Sequence, residues 1–144
     1  MKFFNETSQI FIPDQLPIDK ALERTTHLCI AAHQDHIEIM AALPILECYQ
    51  QPDKWFTAVI MSDGHGSPRS GIYTRYSDEE MRQVRLKEQR KAAVIGEYGA
   101  LIMLDYPSSI LKDGKKQTPI DDLQEVLQLV QPVSYTHLRA HETV

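Results

Sequence analysis

Along the chain, short apolar runs of strand length alternate with longer stretches of helical period. His27 to Ala32 is the first run dense enough for a buried strand. Polar residues interrupt it, and an apolar stripe resumes at Ile37, Met40, Ala41 and Pro44-Ile45. That stripe predicts a helix starting near Asp35 or His36, which Pro44 ends or kinks. Trp55 to Met61 concentrates aromatic and β-branched residues and predicts a second strand. Ser62 to Gly71 holds three glycines and a proline, the composition of a loop.

Ser77 with Glu80 three residues on forms a capping-box sequence, opening a helix that runs to about Glu97. Its expected inner face is Met81, Val84, Ala92 and Ile95. Ala100 to Leu104 is a third strand, closed by Asp105-Tyr106-Pro107. Thr118 caps a further helix with Pro119 in its first position, and Leu123, Val126, Leu127 and Val130 form its stripe. Val133 to Thr136 begins a fourth strand. Upstream, Ile10-Phe11-Ile12 is a short patch docked on the core, and Asp19 to Arg24 a helical turn. This order predicts an α/β fold: a Rossmann-like three-layer α/β/α arrangement with a mostly parallel sheet. It is incomplete at the C-terminus, where no helix follows the last strand.

Composition narrows the function classes. The 144 residues suit one domain with one core, and a hydrophobic share of 42% with 24% charged residues is that of a globular protein. A formal net charge of -5, with no long basic block, argues against a nucleic-acid partner. Cys29 and Cys48 form no CxxC pair, so neither a disulfide framework nor a thiolate zinc site is expected. No secretory apolar segment stands at the N-terminus and no run spans a bilayer, so a cytoplasmic location without membrane insertion is expected.

The chemistry concentrates between the first strand and the first helix. His33 and His36 lie three apart across that turn, with Asp35 between them. Both imidazoles can face one divalent ion, and zinc favours such nitrogen donors while keeping a position open for water. Asp35 is then either the base that takes a proton from that water or a further ligand. Glu38 is placed to hydrogen-bond a ligand histidine. The plainer reading is a solvated helix start with Asp35 near the positive dipole end.

Ala32-His33-Gln34-Asp35-His36, followed by Ile37-Glu38, resembles the Ala-His-Pro-Asp-Asp-Glu motif of the LmbE-like or PIG-L-like zinc-dependent N-acyl sugar deacetylases. The resemblance implies His33 and His36 as ligands of one Zn2+ ion and Asp35 as general base. His36 stands where the family has an aspartate, and Gln34 replaces only a turn proline. Ser62 to Tyr73 resembles the family's glycine-rich loop, which makes Arg69 and His65 candidate substrate-binding residues. The alternatives are an arginine that merely holds the loop and a solvated histidine. Arg85-x-x-Glu88, with Ala92-Ala93 and Gly96, resembles the family's helix motif and also reads as a structural pair. Asp105 is a supporting group on the same rim or a strand-end cap.

The implied activity is removal of an acetyl or related acyl group from an N-acyl amino sugar, glycoconjugate or similar amide. The family's third zinc ligand comes from a later His-x-x-His motif. Here His137 and His141 tempt as substitutes, but Ser134 to Val144 resembles a translated sequencing-adapter tail. The expected organisation is a partial deacetylase domain over 1–133 and a non-native tail over 134–144. The rival is a non-catalytic sugar- or nucleotide-binding module whose Gly64–Gly71 loop cradles an anion, although no GxGxxG follows the first strand. A third reading is an assembly role for an exposed sheet edge.

Overall fold

The computed structural model describes the backbone of residues 1–138 and the side chains of residues 1–133. Its elements in chain order are β1 (Gln9–Phe11), α1 (Ile18–Glu23), β2 (His27–Ala31), α2 (His36–Met40), α3 (Ala42–Cys48) and β3 (Phe56–Ser62). A 3-10 turn (Gly71–Tyr73), α4 (Asp78–Ile95), β4 (Ala100–Tyr106), α5 (Ser108–Lys112), α6 (Thr118–Val130) and β5 (Ser134–Leu138) follow.

The strands form one sheet in the order β1-β4-β3-β2-β5. β2, β3, β4 and β5 run parallel, with Cys29 beside Ala58 and Thr136, and Ala58 beside Leu101. β1 pairs antiparallel with β4, Ile10 opposite Ile102. The expected patch at Ile10-Phe11-Ile12 is thus an edge strand.

Strand periodicity divides the interior into two cores. Cys29, Ala31, Ala58, Ile60, Leu101 and Met103 face one way, under Ile37, Ala41, Leu86 and Ala93 of α2 to α4. Leu28, Ile30, Val59, Met61, Ile102 and Leu104 face the other, under Leu22, Val126 and Val130 of α1 and α6. Both faces of β3 and β4 are buried throughout, as expected of parallel strands covered on each side. The three-layer α/β/α fold with a mostly parallel sheet is what the periodicity predicts.

Several local expectations need correction. The first helix breaks at Ala41, and Pro44 sits in the first turn of α3, where its missing N–H costs no hydrogen bond. Ile37 and Ala41 are buried but Met40 is exposed. On α4 the buried positions are Met81, Leu86, Gln89 and Ala93; Ile95 is exposed. The wide sheet takes a stripe rotated from the expected one and admits one glutamine. Thr118 is already helical, with Gln117 as the cap. The capping box at Ser77 forms as read: Glu80 N–H donates to Ser77 Oγ at 3.1 Å, and Ser77 N–H donates to Glu80 Oε2 at 2.7 Å.

The chain order creates a switch point. β2 to β3 to β4 steps in one direction with α2, α3 and α4 on one face; the crossover through α5 and α6 returns to the far side of β2. The carboxyl end of β2 therefore lies where the winding reverses, the position at which open α/β sheets form a crevice. His33 begins there.

Candidate active site

Three strand ends are knitted together at this rim. Ser62 N–H donates to Ala32 O at 2.9 Å, and Asp63 N–H donates to Tyr106 O at 3.0 Å. The 33–36 turn, the glycine loop and the Ser108 end of α5 are thereby brought side by side. Between them lies a cleft of about 330 Å³, lined by His33, Asp35, His36, Gly64, Ser67 and Arg85 among others.

Asp35 turns the chain from strand to helix with φ 64° and ψ -21°, a left-handed conformation that aspartate tolerates better than most residues. Gln34, the departure expected to lose only a turn proline, is buried, and its Nε2 donates to Ser62 O at 2.8 Å. It ties the turn to β3, as a proline cannot. Gly64 closes the other wall at φ +74°; a Cβ there would stand 2.9 Å from Gln34 Oε1 and 3.0 Å from Arg85 Cβ.

The His33 and His36 rings meet edge to face, with centroids 5.2 Å apart. Burial pushes the His33 pKa below its ordinary value, and the neighbouring His36, Lys112 and Arg85 push it the same way against Asp35. The shift favours the neutral imidazole, the form that donates to a metal. Nδ1 of His36 is buried without a hydrogen-bond partner among the described residues. Two adjacent imidazoles, one favouring its neutral form and one with an orphaned ring nitrogen, fit a divalent transition metal as donors. Among the described residues no group of three or more His, Cys, Asp or Glu gathers around a common point, so the pair is a partial donor set. The side chain of His137 and all of His141 lie outside the described residues.

Asp35 lines the cleft, and Arg85 Nη2 donates to its Oδ2 at 3.4 Å. Arg85 also donates to Ser67 Oγ at 3.1 Å and to Glu88 at 2.9 Å. It is both the helix-face partner of Glu88 and a wall of the cleft, a second role that spacing alone does not reveal.

The remaining candidates stand further off. Glu38 Oε1 accepts from Gln89 Nε2 and from Tyr98 OH, each at 2.7 Å. Asp105, itself left-handed at φ 61°, accepts from Arg82 at 2.9 and 2.6 Å, fixing α4 against the end of β4. Arg69 donates to the carbonyls of Tyr76, His65 and Ser67 and to the Asp78 carboxylate, so it holds the loop. His65 is oriented by the buried Asp63, whose Oδ2 lies 3.0 Å from Nδ1. Neither Arg69 nor His65 lines the cleft. Among the described residues no helix is long and apolar enough to cross a membrane.

No curated protein and no solved structure gives a significant match to the chain. Residues 28–142 do match a known family, described as GlcNAc-PI de-N-acetylase and called PIG-L. The match contains the switch-point turn, the glycine loop, α4 and β5. With its hydrolase-like three-layer fold and its histidine pair at the end of β2, this chain belongs to the PIG-L family.

Proposed function

We propose that this protein is a zinc-dependent hydrolase that removes an acyl group from an N-acyl amino sugar or glycoconjugate. The observation that carries the reading is the pair of adjacent imidazoles at the switch point, with the Asp35 carboxylate in the same cleft. The N-acetylglucosaminyl group in the family's description is the substrate class to examine first.

His33 and His36 would hold the ion. When bound it would supply Lewis acidity and lower the pKa of a bound water. The rest falls to the chain's own residues. Asp35 takes the proton from the attacking water and passes it to the leaving amine. Arg85 holds that carboxylate through its Nη2, 3.4 Å from Asp35 Oδ2. The Gly64–Ser67 backbone and α5 wall the substrate space. Among the described residues His33 and His36 are a partial donor set, so a third donor would come from elsewhere in the protein.

The test is zinc stoichiometry on the purified full chain and on the double variant His33→Ala, His36→Ala, with release of acetate from N-acetylglucosaminyl substrates as the second measurement. One zinc per chain, lost in the variant, together with acetate release is the expected result. Zinc retained by the variant would refute the ligand assignment. Absence of hydrolysis by a zinc-loaded wild type would leave a sugar-binding module.

A further inference from the structure

Asp35 holds a left-handed backbone, uncommon outside glycine though open to aspartate, and specific contacts fix it here. Part of the enforcement comes from within the turn, where Ile39 N–H donates to Asp35 O at 3.1 Å. The rest comes from α4, and it is unusual. Gln89 is 2% exposed, a glutamine inside an otherwise apolar helix face. Its Oε1 accepts from the Asp35 backbone N–H at 3.3 Å. Its Nε2 donates to Glu38 Oε1 at 2.7 Å, and Tyr98 OH donates to the same oxygen at 2.7 Å. Tyr98 is in turn fixed by its ring against Phe56, with centroids 4.9 Å apart.

We propose that Gln89 is the positioning residue of the site: its buried amide, locked by Glu38 and Tyr98, holds the Asp35 turn so that the carboxylate faces the cleft. This rests on the hydrolase reading for its consequence, but not for its geometry. A carboxamide suits the task because one end accepts while the other donates. With Glu38 consuming the donor, the acceptor end is the one left for Asp35, so the amide cannot flip without losing both bonds. Ion pairing with Arg85 constrains the carboxylate from the other side, and the chain Tyr98–Glu38–Gln89 constrains the backbone that carries it.

The test uses Gln89→Met, which keeps length and burial but removes both polar ends, and Tyr98→Phe, which removes one hydroxyl and keeps the ring. The first readout is hydrogen exchange at the Asp35 amide by NMR on the full chain. Exchange is expected to rise about tenfold or more in Gln89→Met and by less in Tyr98→Phe. Amides of β3 and β4 are the internal control and should stay protected, which separates local release from unfolding. The second readout is deacetylation of an N-acetylglucosaminyl substrate by the zinc-loaded protein. Misplacing the base should lower kcat about 10- to 100-fold with KM little changed. Unchanged Asp35 exchange in both variants overturns the positioning inference whatever the wild type catalyses. Raised exchange in a protein whose wild type hydrolyses no amide supports the positioning and overturns the hydrolase reading alone. If Gln89→Met fails to fold, Tyr98→Phe decides the question by the same measurements.

Discussion

Gly64→Ala is the perturbation whose cost follows most directly from the site's geometry. The residue sits at φ +74°, where an L side chain is strained by roughly 1–2 kcal/mol. Alanine recovers about 0.4–1 kcal/mol by narrowing the unfolded ensemble. The new Cβ would also meet Gln34 Oε1 at 2.9 Å and Arg85 Cβ and Cγ at 3.0 Å. Neither neighbour yields freely, since Gln34 is bonded to Ser62 O and Arg85 to Ser67, Glu88 and Asp35. Loss of one such bond adds about 1 kcal/mol. The net expectation is about 2 kcal/mol, which for a chain of this size lowers Tm by about 4–8 °C. Gly66→Ala is the matched control, because nothing lies within 4 Å of its Cβ position and its φ is outside the left-handed region. Thermal and urea unfolding of both variants measure the difference. If Gly64→Ala and Gly66→Ala agree within about 0.5 kcal/mol, the close approach of the glycine loop to Gln34 and Arg85 is refuted.

Three further outcomes follow from the same structure. Arg82→Met strands the buried Asp105 carboxylate and should cost about 3 kcal/mol, while the double variant with Asp105→Asn should lose clearly less than the sum of the single losses; additive urea midpoints would refute the coupling. Burial lifts the Cys29 thiol to about 11, with Glu38 adding to the effect, so it should resist alkylation at pH 8 until the protein unfolds; labelling faster than global unfolding would contradict its place in the core. His33 has a folded pKa below its unfolded value near 6.5, so the unfolded chain binds more protons just below that pH. The metal-free protein should therefore lose stability as pH falls through about 6.5, levelling off below the folded pKa, and His33→Gln should remove that part of the loss; an identical urea-midpoint profile for the variant would refute it.

The fold was largely legible because its signals are local. The apolar runs of the central strands, the Ser77 capping box and the glycine-rich loop each follow from residues adjacent in sequence. The histidine pair and Asp35 were legible for the same reason, since a strand-to-helix turn presents near neighbours together. Helix faces were less so. Ile95 and Met40 look apolar-periodic yet are exposed, because burial depends on where the helix axis crosses the sheet.

The order of elements, the clustering of His33, Asp35 and His36 at one turn, and the PIG-L resemblance are all carried by residues close together in the chain. Which partners meet across the chain is settled by packing. It engages Arg69 in holding its own loop, turns Arg85 into the cleft, directs Glu38 to Tyr98 and Gln89, and makes Gln34 a tie to β3. Those pairings join residues up to 60 positions apart. They are selected by sheet order, helix placement and the requirement that buried polar groups find partners, none of which acts at the range over which a sequence pattern is read.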